Sequence, residues 1–391
     1  MTSRRNFIGN ALASAAAASV PRILRAAEDG RMMWGVLLHF GFNMWNDAYV
    51  DPTDTADHSM ICATDHVRFD EALWREVTAK LAEEGCNTLV IDLGEALVYP
   101  SHPELAVKGS WEPERFRREL ARLRALGFEV LPKLNFSCGH NMWLKEYRNQ
   151  VSTPAYYKVC ADVVRDVCEI FGRPRLFHIG YDEETWINQR FYGRMVVRQG
   201  EAWWKDFLWL VKTVEGLGMR PWMWSDYCWD HPHEFLTRCP KGVLQSNWRY
   251  AVNCTQEEFE RGVAKGYWSL RTFVELDRHG FEQVPTGSNY QEKIAANFGN
   301  LVDFCDQHVS PKGVRGYLQT PWCPTLPKYR DRLLEAAKLL GETIRRRDPA
   351  KAAASYDPKL NGFLPAVTAE SDRKVYGTKE EEIKKLFWPG Y

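Results

Sequence analysis

The stretch Phe69-Asp-Glu-Ala-Leu-Trp-Arg-Glu-Val-Thr-Ala-Lys-Leu-Ala-Glu-Glu-Gly-Cys-Asn-Thr-Leu-Val-Ile-Asp-Leu93 contains the repeating unit that decides the fold. From Phe69 to Glu84 apolar residues recur every three or four positions, which predicts an amphipathic helix, and Gly85 suits the end of that helix. Asn87 to Leu93 follows as an apolar run of strand length. A helix and a buried strand in succession indicate an α/β protein with a parallel sheet.

The same alternation of strand and helix runs through most of the chain. Further amphipathic stretches, such as Pro113 to Leu126 and Tyr156 to Phe171, separate the apolar runs. The predicted strands are Met32–Phe40, Asn87–Leu93, Glu129–Phe136, Arg175–Tyr181, Pro221–Ser225, Val243–Trp248, Leu270–Leu276 and Val314–Gln319. Eight strand-then-helix units favour a closed (β/α)8 TIM barrel over an open doubly wound sheet.

Composition and charge narrow the class of partner. Of the 391 residues, 45% are hydrophobic and 26% are charged, so the chain is able to bury a large core. The 51 lysines and arginines balance the 51 aspartates and glutamates, which argues against a nucleic acid or an anionic membrane surface as partner. The 16 Trp, 16 Tyr and 19 Phe suit a large core and also suit stacking on sugar rings.

We predict no metal and no cofactor. The ten cysteines form no Cys-x-x-Cys pair and have no histidine at zinc-finger spacing, so we expect most of them to be buried as small apolar residues. No predicted strand ends in a glycine-rich phosphate-binding loop. No segment approaches the 18 or more apolar residues that a membrane span requires.

The N-terminus has the layout of a twin-arginine export signal. Thr2-Ser-Arg-Arg-Asn-Phe-Ile8 places an arginine pair before a mildly apolar, alanine-rich run. We therefore expect residues 1–27 to be a signal peptide that contacts the export machinery transiently, and the mature protein to be periplasmic or secreted. We predict the barrel over residues 28–345 and a helical or irregular appendage over 346–391, with one helix at Lys379–Leu386.

The carboxyl ends of the strands are where a barrel of this kind carries its chemistry. Nearly every predicted strand end has an aromatic, amide, carboxylate or imidazole side chain, the groups that hold sugar hydroxyls and stack on a pyranose ring. These candidates are His39, Asn43, Trp45, Asp92, Glu95, Asn135, Cys138, His140, His178, Asp182, Glu183, Glu184, Trp224, Asp226, Asn247, Trp248, Glu275, Asp277 and Trp322.

The densest group of candidates lies in Leu176-Phe-His-Ile-Gly-Tyr-Asp-Glu-Glu-Thr185, where an apolar strand ends in three consecutive carboxylates. Neighbouring carboxylates oppose each other's ionisation, so one can stay protonated while another is charged. A protonated acid beside a charged stabiliser suits the cleavage of a glycosidic bond. His178 and Gly180 also depart from the Val, Ile and Leu side chains that usually fill a barrel interior.

Two segments carry a resemblance to a known family. His178-Ile-Gly-Tyr-Asp-Glu183 resembles the His-x-Gly-Gly-Asp-Glu motif of family 20 glycoside hydrolases, the β-N-acetylhexosaminidases. Pro132-Lys-Leu-Asn-Phe-Ser-Cys-Gly-His140, followed by Trp143, is similar to the end of that family's third strand. The resemblance covers roughly residues 30–345 and is strongest around strands three and four.

The resemblance implies cleavage of terminal β-linked N-acetylhexosamine by a substrate-assisted, retaining mechanism. Glu183 would protonate the glycosidic oxygen, and Asp182 would orient the substrate's own 2-acetamido group, so that no nucleophile from the protein is required. The residues expected to bind the sugar or wall its pocket are His178, His140, Asn135, Trp224, Asp226, Trp248, Glu275 and Trp322.

Two features depart from the family pattern. Tyr181 replaces the second glycine of the motif and is expected to add bulk beside the acids. The first strand ends in Leu38-His-Phe-Gly-Phe42, without the arginine that the family uses on sugar hydroxyls. These departures suggest a distant relative that acts on a different sugar.

Three other interpretations stay open from the sequence. In the first, Glu183 works with a second carboxylate, Asp226 or Glu275, on a sugar without an acetamido group. In the second, His39, His140 and His178 bind a metal with nearby carboxylates. In the third, the barrel binds carbohydrate without cleaving it.

Overall fold

A computed structural model of the protein describes residues 31–375, apart from residues 52, 53, 55 and 191. The strands are β1 (Met33–His39), β2 (Asn46–Tyr49), β3 (Cys62–Ala63), β4 (Thr88–Asp92), β5 (Glu129–Lys133), β6 (Leu176–His178), β7 (Arg220–Trp224), β8 (Leu244–Ser246), β9 (Thr286–Ser288) and β10 (Gly316–Thr320). The predicted signal peptide, residues 1–27, and the predicted helix Lys379–Leu386 lie outside the described residues, so both stay predictions.

Eight of the described strands form one parallel sheet in the order β8-β7-β6-β5-β4-β1-β10-β9. Isolated parallel bridges, Gln245 with Gln283 and Trp248 with Thr286, join the two outer strands of this sheet and close it into a ring. The predicted (β/α)8 barrel is therefore confirmed. Strands β2 and β3 pair separately in the loop after β1.

Helices surround the barrel. Their bounds are α1 (Glu71–Glu83), α2 (Pro113–Ala125), α3 (Pro154–Ile170), α4 (Glu201–Gly216), α5 (Tyr227–Asp230), α6 (Pro232–Arg238), α7 (Gln256–Ala264), α8 (Arg271–Arg278), α9 (Asn297–His308), α10 (Arg330–Arg346) and α11 (Pro349–Ser355). Helix α1 begins after Asp70, whose carboxylate accepts the Leu73 N–H at 2.8 Å. Its apolar stripe, including Trp74 and Leu81, is buried against the sheet as the periodicity predicts.

The prediction of a strand at Leu270–Leu276 is wrong. This segment forms α8, and the seventh strand of the barrel is β9, Thr286–Ser288. A short apolar run such as Phe273-Val-Glu-Leu276 fits either period, so its length alone does not separate a buried helix from a strand. Strand β9 consists of Thr-Gly-Ser and has no apolar signal, although all three residues are buried.

The barrel interior contains an apolar cluster that is separate from the larger core between strands and helices. Successive strand residues point to opposite faces, which places Leu37 inside and Leu38 against the helices. All ten cysteines are buried, as expected of small apolar residues, and their thiols are free. Among the described helices, none combines the length and the apolar character needed to cross a membrane.

The segment after α10 packs along the outside of the barrel towards the carboxyl ends of the strands. Asn361 exchanges hydrogen bonds with His308 of α9, and the Pro365 carbonyl accepts one from Arg271 of α8 at 2.6 Å. The Asp372 carboxylate then accepts the backbone N–H of His233, at the start of α6, at 2.7 Å. Val375 contributes to the wall of the large cavity described below.

Candidate active site

The segment after β6 has an unusual backbone. Gly180, Tyr181 and Glu183 have φ values of 68°, 76° and 52°, in the left-handed region that side chains disfavour. A Cβ atom on Gly180 would lie 2.2 Å from the side-chain oxygen of Asn135, so only glycine fits there. The same Asn135 oxygen accepts the Tyr181 N–H at 3.1 Å. Strand β5 therefore holds the turn that presents the acidic residues.

Tyr181 points away from the acids, so the expected crowding of the site by this residue is wrong. Its ring is buried 5.1 Å from Trp203 and 5.3 Å from Phe207, between β6 and α4. The Arg198 guanidinium lies 4.8 Å from the ring centre. The left-handed turn sends this side chain into the core and leaves Asp182 and Glu183 on the wall of the cavity.

The third acid of the run, Glu184, has a structural position. Its carboxylate forms a buried ion pair with Arg198 at 2.6 Å and accepts the Cys138 N–H at 3.1 Å. Arg198 also contacts Asp206 of α4 at 3.1 Å. Of the three consecutive acids, only Asp182 and Glu183 therefore face the cavity.

Asn135 and His140 organise the two acids. The Asn135 amide donates to Asp182 Oδ1 at 2.7 Å. The His140 ring lies between the acids, with Nδ1 3.5 Å from Asp182 and Nε2 3.4 Å from Glu183. Burial acts to lower the pKa of His140, but the Asp182 carboxylate and then Glu183 outweigh it and raise that pKa above its usual value.

Asp226, at the end of β7, lies behind Glu183. Asp226 Oδ2 accepts the Glu183 N–H at 2.8 Å, and the Trp248 indole N–H points to Oδ1 at 3.4 Å. Burial raises the pKa of Asp226 well above its ordinary value, and the nearby Asp182 carboxylate raises it further. Burial and the neighbouring charge thus favour the protonated form of Asp226.

The acids open onto a cavity of about 770 Å³ at the carboxyl ends of the strands. Nine of its twenty lining residues are Trp or Tyr, which is the kind of surface that stacks on sugar rings. The predicted residues on the wall are Asn135, His140, Asp182, Glu183, Trp224, Trp248 and Trp322. The structure therefore brings together seven of the ten predicted site residues, with Asp226 directly behind them.

His178 lies beneath the cavity and does not line it. Its Nδ1 accepts the Gly180 N–H at 3.1 Å, and its ring packs 4.4 Å from that of Trp224. Burial, aided by the charge of Lys133, lowers the pKa of His178 well below its usual value, so a neutral ring is favoured. His178 supports the turn of Gly180 and the Trp224 wall from below.

Glu275 is outside the site, which corrects its prediction as a strand-end carboxylate. It is buried in α8 and paired with Arg271 at 3.0 Å. The prediction failed because the apolar run around it is helical, so no strand carries this residue into the barrel mouth. Glu275 is not among the residues that wall the cavity.

Several aromatic residues on the wall were not among the ten predicted site residues. The loop after β1 contributes Trp45, and the segments after β7 and β8 contribute Trp229 and Tyr250. Tyr290 and the segment 265–269 complete the mouth. The aromatic residues just beyond each strand end were the available signal, but their loops have no periodicity to orient them.

A buried ion pair between Lys133 and Asp92 fills the barrel interior beneath the site. His39 Nδ1 lies 3.6 Å from Asp92, and burial, then Lys133, lowers the pKa of His39. His39 and His178 do not join His140 in a metal-ligand group. In the part of the chain that is described, the one group with such geometry is His140, Asp182 and Glu183.

Three solved structures are similar to this barrel in fold. The barrel is similar to the chitobiase of Flavobacterium johnsoniae, with a TM-score of 0.51 and 15% identity over 81% of this chain and 52% of that one. It is similar to the GH20 β-N-acetylhexosaminidase of Streptomyces coelicolor A3(2), with a TM-score of 0.51 and 14% identity over 79% and 64% of the two chains. Dispersin B gives a TM-score of 0.50 and 12% identity over 77% and 99%.

These similarities establish a shared fold. The chain spans about half of the chitobiase and under two thirds of the Streptomyces protein. No protein-family model matches the sequence, and no curated protein matches it. The predicted resemblance to family 20 is confirmed at the level of the barrel.

Proposed function

We propose that the protein is a glycoside hydrolase that removes terminal β-linked N-acetylhexosamine by a substrate-assisted, retaining mechanism. The observation that carries the proposal is the position of Asp182 and Glu183, side by side on an aromatic-walled cavity with His140 between them. The fold shared with family 20 barrels supports the same assignment. The proposed acid is Glu183, and the proposed orienting carboxylate is Asp182.

In the first step the carbonyl oxygen of the substrate's 2-acetamido group attacks the anomeric carbon. The bond to the leaving oxygen breaks, and that oxygen takes the proton of the Glu183 carboxylic acid. The Asp182 carboxylate accepts the amide N–H and stabilises the positive charge of the resulting oxazolinium ring. Asn135 fixes Asp182 for this task through the 2.7 Å hydrogen bond to Oδ1.

In the second step a water molecule attacks the anomeric carbon from the face that the leaving group vacated. Glu183, now a carboxylate, takes a proton from that water, and the oxazolinium ring opens back to the acetamide. Two displacements at one carbon retain the β configuration, and the acid is restored to its protonated form.

The aromatic walls of the cavity bind the sugar but take no part in bond breaking. Trp224 and Trp322 lie with ring centres 5.9 Å apart, and Trp45 is 6.2 Å from Trp322, so three indoles surround one end of the cavity. Stacking of a pyranose on such faces places the anomeric carbon beside the acids. Trp248 and Tyr250, stacked at 4.7 Å, add to this aromatic surface.

A mechanism with a carboxylate nucleophile has less support. Its candidates were Asp226 and Glu275, and Glu275 lies in α8 outside the cavity. Burial and the Asp182 charge favour the protonated form of Asp226, which is a poor nucleophile, and both of its oxygens already face N–H donors.

The experiment compares the hydrolysis of aryl β-N-acetylglucosaminide and β-N-acetylgalactosaminide with that of plain aryl β-glucoside and β-galactoside by the purified mature chain. We expect turnover of the acetamido sugars alone. Aryl glycosides with N-trifluoroacetyl groups should react much more slowly, because the electron-poor carbonyl is a weaker internal nucleophile. Equal turnover of plain hexosides would replace the proposal with the two-carboxylate mechanism.

The role of Glu183 is tested by changing the leaving group. In Glu183→Gln, an unactivated disaccharide should lose about 10²–10⁴-fold in kcat, whereas a dinitrophenyl glycoside, whose leaving group needs no proton, should lose far less in its first step. Glu129→Gln is the matched control, because Glu129 pairs with Arg175 at the amino ends of β5 and β6, away from the cavity. Equal losses on both substrates would contradict an acid role for Glu183.

A further inference from the structure

The group formed by His140, Asp182 and Glu183 also has the donor set of a divalent transition-metal site. One nitrogen or carboxylate oxygen from each of the three side chains lies within 4.8 Å of the other two. Imidazole nitrogen and carboxylate oxygen are both ligands of Zn²⁺, at about 2.0–2.2 Å. With bonds of that length, a tetrahedral ion holds its ligand atoms about 3.4 Å apart. His140 Nδ1 and Asp182 Oδ1 are already 3.5 Å apart.

Two further observations concern the ligands themselves. The His140 side chain is only 3% exposed, and among the described atoms its Nδ1 has no hydrogen-bond partner although it faces Asp182. At 3.5 Å from Asp182 Oδ1 this nitrogen has an electrostatic contact but no hydrogen bond, so its lone pair is available to an ion. Asp182 is held in position by Asn135, as outer-shell hydrogen bonds hold metal ligands. The open side of the cavity leaves room for a water molecule as the fourth ligand.

We infer that the cavity binds one divalent transition-metal ion of the Zn²⁺ class through His140, Asp182 and Glu183, in competition with the sugar. An ion on Glu183 holds this residue as a carboxylate and occupies the space beside the glycosidic oxygen. Zinc would therefore act as a competitive inhibitor. This consequence for turnover rests on the proposed function, whereas the binding itself does not.

Binding is measured without substrate. We expect the purified chain, stripped with chelator and desalted, to bind one equivalent of Zn²⁺ in calorimetry and to give the visible absorption of a low-coordinate site with Co²⁺. His140→Ala should weaken Zn²⁺ binding about a hundredfold or more, since the loss of an outer-shell partner alone costs 10–100-fold. Asp182→Asn keeps the shape of the side chain and should weaken binding as well.

The matched control is His66→Ala. His66 Nδ1 lies 2.6 Å from the Asp65 carboxylate on an exposed surface, so it offers the same two ligand types outside the cavity. This variant should bind Zn²⁺ as the wild type does. Equal binding by all variants, or no stoichiometric binding by the wild type, would overturn the inference. Thermal unfolding of each variant shows whether a loss of binding reflects a loss of fold.

The effect of Zn²⁺ on hydrolysis is measured in a separate experiment from its binding. Zn²⁺ should raise the apparent KM for the acetamido glycoside and leave kcat unchanged, and chelator should restore the original KM. If no glycoside is turned over, the proposed function fails and the binding data still decide the metal site. If hydrolysis required Zn²⁺, the inference that the ion competes with the sugar would be wrong.

Discussion

The Asp226 carboxylate accepts the backbone N–H of Glu183 at 2.8 Å, so the end of β7 holds the residue that follows β6. Glu183 has a φ of 52°, a conformation that a side-chain-bearing residue keeps only when its surroundings fix it. The other Asp226 oxygen faces the Trp248 indole N–H at 3.4 Å. One carboxyl group thus couples the proposed acid to a wall of the cavity.

Removal of Asp226 should therefore misplace Glu183 without removing it. We expect Asp226→Ala to lower kcat on the acetamido glycoside about 10–100-fold, the equivalent of one buried hydrogen bond to a misaligned group, and Asp226→Asn to lower it less. Asp277→Asn is the control, since Asp277 also has a pKa raised by burial and accepts a backbone N–H, that of Ser310, but lies in α8. Steady-state kinetics of the three variants decide this, and equal effects of Asp226→Ala and Asp277→Asn would contradict a positioning role.

The pKa of Asp226 also predicts a dependence of stability on pH. Burial, with the Asp182 charge, raises the folded-state pKa of Asp226 above its unfolded value of about 3.9. The folded state then binds this proton more tightly than the unfolded state, so its contribution is fully present below pH 4 and is lost as the pH rises through the folded pKa.

Urea unfolding of the wild type and Asp226→Asn at several pH values between about 4.5 and 7.5 measures this contribution. The range begins just above the unfolded pKa of Asp, so the contribution is expected to fall across it. The unfolding free energy of the wild type, minus that of Asp226→Asn, should fall with rising pH by up to about 1.4 kcal/mol per unit. A difference independent of pH would show that Asp226 ionises normally.

Glu183 and Glu184 are adjacent in sequence, and we expect the first to serve catalysis and the second to serve stability. Glu184→Gln breaks the buried pair with Arg198, although Arg198 keeps its contact with Asp206, so we expect a loss of about 3 kcal/mol in unfolding free energy. Turnover well below the melting temperature should stay near that of the wild type. Glu183→Gln should do the reverse and lose activity with little loss of stability. Denaturant unfolding and kinetics on the same two preparations separate the roles.

The barrel was predictable because most of its strands carry continuous apolar runs that a parallel sheet buries on both faces. The Thr286-Gly-Ser288 strand was not, since its buried residues are small and polar and satisfy their hydrogen bonds only in the folded barrel. Leu270–Leu276 was misassigned for the complementary reason, because a buried helix can be as apolar as a strand.

The candidate site was predictable where a residue lies at or just beyond the end of a strand, as Trp224 and Asn135 do. The roles of Tyr181 and Glu184 were not, because three left-handed φ values after β6 reverse the direction expected from alternation along a strand. Backbone conformations of this kind depend on partners such as Asn135 and Asp226, which come from other strands. Their pairing is a tertiary property that local sequence does not encode.

Tyr181 offers a test of that reversal. Because its ring packs with Trp203 and Phe207 and does not reach the cavity, Tyr181→Phe should leave kcat/KM unchanged for every sugar tested. Among the described atoms the Tyr181 hydroxyl is buried without a hydrogen-bond partner, so its loss should not reduce stability. Tyr181→Ala should cost about 3–5 kcal/mol through the cavity it creates. A change in sugar preference with Tyr181→Phe would place this side chain in the site after all.

Gly180 is the position in the turn after β6 where an added side chain fits least well. An added Cβ would lie 2.2 Å from Asn135 Oδ1 and 2.8 Å from the Asn135 Cα, which is backbone and unable to yield cheaply. Gly180→Ala should therefore displace Asn135, weaken its hold on Asp182, and cost several kcal/mol in unfolding free energy as well as most of the activity. Gly127→Ala is the matched control: Gly127 has a φ of 95° and open space within 4 Å of the added atom, so it carries backbone strain alone, worth about 1 kcal/mol. If the two variants lost equal stability and kept equal activity, the close approach of Gly180 to Asn135 would have no part in shaping the site.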